Sequence, residues 1–414
     1  MRRGLALRAY LLASHGFPLI AGAVLRRRLA RGKEDPARWM EKLGRNLAPR
    51  PKGPLIWLHA VGLGELLSLR GLIARLHGQD PGLSFLVTST TVTSAQVFAK
   101  NLPPRTLHQF LPVDAPAYRR QFLDHFQPDL AVWVEQDIWP GLVSDAAARG
   151  IPQAVIAARM NAQSHASHKK ARSVYRDLYQ AMVKVTAQDQ DTADHLTQLG
   201  ASGVTVSGSL KPSAPPLAHD PDELARLLKR LTGRRIWAVA PSHPEDEQIA
   251  LAAHAILRKS DPDALLIIAP RDPDRRADIA AACVTSPPMR SQGAVPGMDD
   301  AVWLCDTFGD MGLVYRLADA VLIGGTFSAI EGHNPWEAAA LHTAILHGPR
   351  IANFTADYAT LHDADAARTV TDAATLAQAL QDTGALAQNA EGATTFAALR
   401  TDMLAADLIS LLRR

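Results

Sequence analysis

Short apolar runs alternate with amphipathic stretches along most of this chain. Runs at residues 55–61, 83–90, 130–134, 153–157 and 183–187 are five to eight residues long and bounded by turn residues, the pattern of buried strands. Between them, stretches such as 67–76 and 115–125 place apolar side chains three and four apart, as one face of a helix requires. The alternation restarts at 236–240, 264–269, 301–305, 320–324 and 344–346. Each half therefore predicts a parallel, doubly wound α/β sheet. The intervening segment 207–222, SGSLKPSAPPLAHDPD, has little periodicity and reads as a linker. A terminal helix is expected over 393–412. The predicted division is a basic segment at 1–35, a first Rossmann-like domain at 36–207, a linker at 208–222, and a second domain at 223–414 that includes the terminal helix. Two such halves imply a cleft, with ligands held beyond the carboxyl ends of the strands.

At 414 residues the chain suits two domains. Its two cysteines, Cys283 and Cys305, have no metal-type spacing, so a disulfide framework is not expected and a reducing compartment is. The net charge of +3 conceals an asymmetry: residues 1–52 hold thirteen Lys/Arg against three Asp/Glu. Within that stretch, residues 10–25 are apolar except at Ser14, His15 and Pro18. Arg2, Arg3 and Arg8 flank the run on one side, and Arg26, Arg27, Arg28, Arg31 and Lys33 on the other. The run is short for a bilayer span, which takes about 20 apolar residues, and its basic flank is too strong for a signal peptide. It predicts a segment lying on an anionic membrane surface. No aromatic residues interleave with the basic ones, which argues against nucleic acid as partner.

Candidate chemistry sits after the strands. The first run ends in HAVGLGE, where Gly62 and Gly64 precede Glu65. Glu65 reads either as a carboxylate aimed into the cleft or as a first-turn helix acid. Glu135 and Asp137 follow the run at 130–134; Asp137 reads equally as a helix cap before Pro140. In the second half, Pro270-Arg271 opens a charged turn where a guanidinium suits phosphate. The run 331–337, EGHNPWE, is the sharpest local signal, with glycine freeing the backbone and a helix expected near Pro335 to offer an anion site. Asp189-Gln190-Asp191, Asp220-Pro221-Asp222 and Asp272-Pro273-Asp274 match a loose D-x-D pattern, but read as caps, linker and turn rather than metal sites. His165 and His168 lack a third ligand for zinc.

Taken together, ten runs resemble the 3-deoxy-D-manno-octulosonic acid (Kdo) transferase family. They are GKEDPARW (32–39), WLHAVGLGE (57–65), LPVDAP (111–116), EQDIWP (135–140), ARMNAQS (158–164), GSLK (208–211), PSHPEDE (241–247), APRDPDR (269–275), DTFGDMGLVYRLADAVLIGG (306–325) and GHNPWEAA (332–339). The resemblance implies a GT-B fold, two Rossmann-like domains facing across a cleft, with acceptor bound by the first and CMP by the second. It implies an inverting, metal-independent transfer of Kdo from CMP-Kdo to a lipid A precursor, lipid IVA, in lipopolysaccharide core biosynthesis. The donor is a substrate, and no cofactor is implied. The place implied is the cytoplasmic face of the inner membrane. By position, Glu65 is similar to the family's general base, and Glu135 and Lys211 to the pair that stabilises the transition state. Pro270, Arg271, Gly309, Asp310, Met311, Asn334, Pro335, Trp336 and Glu337 are similar to its CMP contacts.

This chain departs from the family pattern at Gly62 (usually Ser), Gln136 (Thr), Gly141 (Asn), Asp272 (His), Cys305 (Gly) and Trp336 (Leu). The competing readings are a nucleotide-sugar epimerase on the same fold, another lipid acceptor, or a binding paralogue without catalysis.

Overall fold

The computed structural model describes residues 3–135 and 137–412. Gln136 of the EQDIWP run lies outside them, as do Met1, Arg2, Arg413 and Arg414. The chain divides into two compact units: residues 1–214 with 398–414, and residues 215–397.

The first unit is built on seven parallel strands: β1 Leu55–His59, β2 Ser84–Ser89, β3 Thr106–Phe110, β4 Leu130–Val134, β5 Gln153–Ala158, β6 Lys184–Ala187 and β7 Thr205–Val206. Their order is β3-β2-β1-β4-β5-β6-β7. β1, β2, β4 and β5 are buried along their whole length. That is why they read as unbroken apolar runs: a parallel strand covered on both faces has no polar side to show. Trp57 on β1 and Trp133 on β4 meet edge to face with centroids 5.0 Å apart, and Phe122 closes on Trp57 at 5.1 Å.

The second unit has six parallel strands: β8 Ile236–Ser242, β9 Leu265–Pro270, β10 Val302–Leu304, β11 Ala320–Ile323, β12 Ala344–His347 and β13 Ala367–Thr369. Their order is β10-β9-β8-β11-β12-β13. Gly324 is required at the end of β11, because a Cβ there would fall 1.8 Å from the Pro241 carbonyl oxygen.

Three strands escaped the periodicity. β3 (TLHQF) puts polar residues at the sheet edge, β7 is a two-residue exposed pair, and β13 is a three-residue edge strand. The two units divide inside the expected linker, between Ala214 and Pro215; the linker carries a turn at Lys211–Ser213 and runs into a helix from Pro221. Its residues Leu217 and Ala218 lie against the helix Met311–Leu317: Arg316 donates to the Leu217 carbonyl at 2.8 Å, and Gly312 leaves room for Ala218. One boundary needs correction. The terminal helix is longer than expected, Gly384–Leu412, and changes unit near residue 398. Leu404, Ala405, Leu408 and Ile409 are buried in the core of the first unit, not the second.

The N-terminal segment is one helical stretch, Leu5–Ala30, 26 residues long and apolar enough to cross a membrane by length and composition. It is tied to the first unit at both ends. Gly4 N–H donates to Asp177 at 2.6 Å and Tyr10 to Asp114 at 2.7 Å. Further along, Arg28 pairs with Glu34 at 2.6 Å, and Lys42 joins the same carboxylate at 2.5 Å.

Candidate active site

In the first sheet the chain moves outward from β1 to β3, then returns to build β4 to β7 on the other side. The carboxyl ends of β1 and β4 therefore form the switch point, where a doubly wound sheet opens a crevice. His59 pairs with Trp133 across these strands, so the segments carrying Glu65 and Glu135 leave the sheet side by side.

Glu65 lies in the first turn of the helix Leu63–Gln79. Its Oε2 accepts hydrogen bonds from the N–H groups of Val61 at 3.2 Å and Gly62 at 3.1 Å. The bland reading, a helix-capping acid, thus describes one oxygen. A Cβ at Gly62 would lie 2.9 Å from Oε1, so glycine at this position gives the carboxylate its room.

Glu135 follows β4 at φ +61°, a left-handed conformation uncommon for a residue with a side chain and worth about 1–3 kcal/mol of strain. Its N–H donates to the Ile156 carbonyl at 3.0 Å. Gln188 holds the side chain, donating to Glu135 Oε1 at 3.3 Å and to the Ala157 carbonyl at 3.1 Å. Asp137 does not cap the helix Pro140–Ala148. That role belongs to Asp114, which accepts from Gly141 N–H at 2.8 Å and Leu142 N–H at 3.0 Å. Asp137 is left half-buried, with its carboxyl pushed up first by burial and then by the charge of Glu65.

Lys211 opens the turn Lys211–Ser213, whose Ser213 packs directly on Gly71 of the Glu65 helix. One helix thus carries Glu65 at its start and seats the Lys211 turn two turns later.

In the second sheet the switch point lies between β8 and β11. Asp246, fully buried, ties the two strand ends together: it accepts from His243 N–H at 3.0 Å and Gly325 N–H at 2.6 Å. The Nε2 atoms of His243 and His333 are 2.8 Å apart, so one ring carries the proton and the other accepts it. Burial, then His243 and Arg271, push the His333 pKa down to about 4. Pro270 closes β9, and Arg271 follows with an exposed side chain, its N–H held by the Ser242 carbonyl at 3.0 Å.

Gly309 takes φ +96°, which glycine adopts freely. The neighbouring Asp310 carboxylate is held by Arg290, with two contacts of 2.8 Å, so its side chain is engaged within the protein. Met311 packs against the core. Asn334 donates to Glu337 Oε1 at 3.3 Å and accepts from Trp336 N–H at 3.2 Å, and burial pushes the Glu337 carboxyl up. The helix expected near Pro335 starts there, with Pro335 as its N-cap, but runs only four residues, Trp336–Ala339, too short for a sizeable dipole. Trp336 is buried, with its indole N–H on Asp357 at 2.8 Å, so its ring belongs to the core.

Residues 37–214 match the family model for 3-deoxy-D-manno-octulosonic-acid transferase (kdotransferase). A 3-deoxy-D-manno-octulosonic acid transferase of Rickettsia bellii is 32% identical over 331 residues, 79% of each chain. The chain belongs to the Kdo transferase family. A second relative of the same description, from Bordetella pertussis, is 33% identical over 319 residues, 74% of each chain. This transferase shares its fold with a UDP-GlcNAc 2-epimerase of Neisseria meningitidis, at TM-score 0.57 and 12% identity, covering 86% of this chain and 99% of that one. The GT-B class expected from the resemblance holds.

Within the Kdo transferase, Glu65, Glu135 and Lys211 all fall in the matched stretch. The residues that hold them were not singled out by sequence. Gln188, which holds Glu135, and Gly71, on which the Lys211 turn packs, lie outside every motif of the resemblance. The D-x-D pairs resolve as local capping. Asp189 accepts from Thr192 N–H at 2.7 Å, Asp220 from Asp222 N–H at 2.9 Å, and Asp272 from Asp274 N–H at 3.1 Å.

Proposed function

We propose that this transferase moves Kdo from CMP-Kdo to a lipid A precursor, lipid IVA, with inversion at the anomeric carbon and without a metal ion. The observation that carries the reading is the placement of Glu65 and Glu135 at the β1/β4 switch point, with the Lys211 turn seated on the Glu65 helix.

In this mechanism Glu65 is the general base. Two backbone N–H groups hold Oε2, and Oε1 takes the proton from the acceptor sugar hydroxyl. The hydroxyl oxygen attacks the anomeric carbon of Kdo as the bond to the CMP phosphate oxygen breaks. Negative charge grows on that phosphate, and the ammonium of Lys211 stabilises it, with Glu135 orienting the pair. Pro270, Arg271, the Gly309–Met311 turn and the Asn334–Glu337 turn bind CMP. Because the Asp310 carboxylate is engaged by Arg290 and the Trp336 ring is buried, these two residues contribute backbone.

The acceptor is an anionic glycolipid, and the N-terminal helix supports a membrane site. Leu5, Leu12 and Leu19 are 86%, 74% and 85% exposed, an apolar stripe beside many arginines. The opposite face, with Leu7 and Ala21 buried, packs on the first unit, which supports a helix lying on the bilayer rather than through it. The place proposed, on the family resemblance, is the cytoplasmic face of the inner membrane.

The test is incubation with CMP-Kdo generated in situ and a tetraacylated lipid A precursor, with and without EDTA. Product heavier by one or more Kdo units, an inverted anomeric centre by NMR, and equal rates in EDTA are expected. No product, retention, or loss of activity in EDTA restored by a divalent ion counts against the proposal.

A further inference from the structure

The N-terminal helix has a third face. Leu7, Ser14 and Ala21 are buried against the first unit, and Leu5, Leu12 and Leu19 are exposed. With 3.6 residues per turn, Leu5 and Leu7 stand roughly 160° apart around the axis, on nearly opposite sides. A groove runs along the flank between these stripes. Arg3, Arg8, Leu12 and His15 line it on one side, Arg176 and Asp177 of the helix Arg172–Tyr179 on the other, and its volume is about 1100 Å³.

Three guanidinium groups meet one carboxylate in this groove, and that carboxylate is already engaged. Asp177 Oδ2 accepts the Gly4 N–H at 2.6 Å, and its Oδ1 lies 3.8 Å from Arg176. Arg3 donates to the Ser144 carbonyl at 3.3 Å, and Arg8 is exposed. The groove therefore carries net positive charge, with planar donors suited to phosphate oxygens. It opens beside Leu12, at the border between the exposed apolar stripe and the protein.

We propose that this groove seats the phosphodiester headgroup of an anionic glycerophospholipid, with the acyl chains running out along Leu5, Leu12 and Leu19. The volume exceeds what a lone phosphate fills, and the adjoining apolar stripe suits acyl chains. The inference rests on the membrane-surface reading above and adds a defined, saturable site to it.

The test uses the full chain in two measurements. Titration calorimetry with dihexanoylphosphatidylglycerol, kept below its micelle concentration, reads the groove. Flotation with phosphatidylcholine vesicles containing one-fifth phosphatidylglycerol reads the membrane surface. Saturable binding of the soluble lipid is expected, weakened at least tenfold in Arg8→Ala/Arg176→Ala and less than twofold in Arg26→Ala/Arg27→Ala. Circular dichroism and transfer to detergent-solubilised acceptor establish that both variants fold. Equal losses in the two variants overturn the groove in favour of diffuse attraction. Flotation of the wild type without soluble-lipid binding overturns the groove alone, whereas failure to float overturns the membrane reading with it.

Discussion

Gly71 and Ser213 approach so closely that a methyl group on Gly71 would lie 1.8 Å from the Ser213 carbonyl oxygen. The clash is with backbone, so no rotamer change relieves it. Ser213 also hydrogen-bonds Thr401 on the terminal helix, which holds the turn from behind. Gly71→Ala must displace the Lys211 turn from the helix that carries Glu65. Overpacking of this kind costs about 1–3 kcal/mol of stability. The prediction is a kcat lowered at least tenfold with KM for the donor changed less than threefold, in protein that still melts cooperatively. Steady-state kinetics beside a thermal melt check it.

Asp137 offers a pH-dependent prediction of definite sign. Burial and the Glu65 charge raise its folded pKa above the unfolded value. Its contribution to stability is therefore full below the unfolded pKa and is lost as pH rises through the folded one. Asp137→Asn should melt higher than wild type at pH 7, and the difference should vanish near pH 3.5. Melting curves across that range decide it.

The histidines predict the reverse dependence. Burial is the first cause that pushes His59, His254, His333 and His347 each down to about 4. A group depressed in the fold lends stability above its unfolded pKa, about 6.5, and that stability is lost as pH falls toward the folded value. Stability should fall steeply between pH 6.5 and 4. His254→Gln should flatten that slope, since a shift from 6.5 to about 4 is worth at most about 3 kcal/mol. Urea denaturation at each pH measures it.

Trp336 separates packing from binding. Its indole N–H bonds Asp357 at 2.8 Å inside the core. Trp336→Phe keeps a ring but deletes the donor to a carboxylate, an expected loss of about 1–3 kcal/mol. CMP affinity should change less than twofold, because the side chain faces inward. Denaturant melts and CMP titration check the two halves separately.

Much of the architecture was legible in the sequence, and the reason is burial. Strands such as β1 and β4 lie inside a parallel sheet and read as unbroken apolar runs. The edges were not legible: β3 buries His108 and Gln109, whose polarity breaks the pattern; Ser89 pairs with His108 at 2.9 Å and Gln109 Oε1 accepts from Ala48 N–H at 3.2 Å. Glu65 and Glu135 were visible because charged groups stand out after strands, whereas Lys211 came only from the family resemblance. Their supports were not visible, because Gln188 and Gly71 act through contacts that join distant parts of the chain. Asp137 shows the limit of local reasoning: it stands where a cap belongs, yet the cap comes from Asp114.

The central claim is that Glu65 removes the acceptor proton. The most direct measurement compares wild type with Glu65→Ala for transfer from CMP-Kdo to the tetraacylated lipid A precursor, with CMP binding measured on both proteins. The account predicts product mass from the wild type, a loss of at least 100-fold in the variant on the scale of general-base catalysis, and CMP affinity unchanged within twofold. Equal rates in the two proteins would contradict it and remove Glu65 from the mechanism.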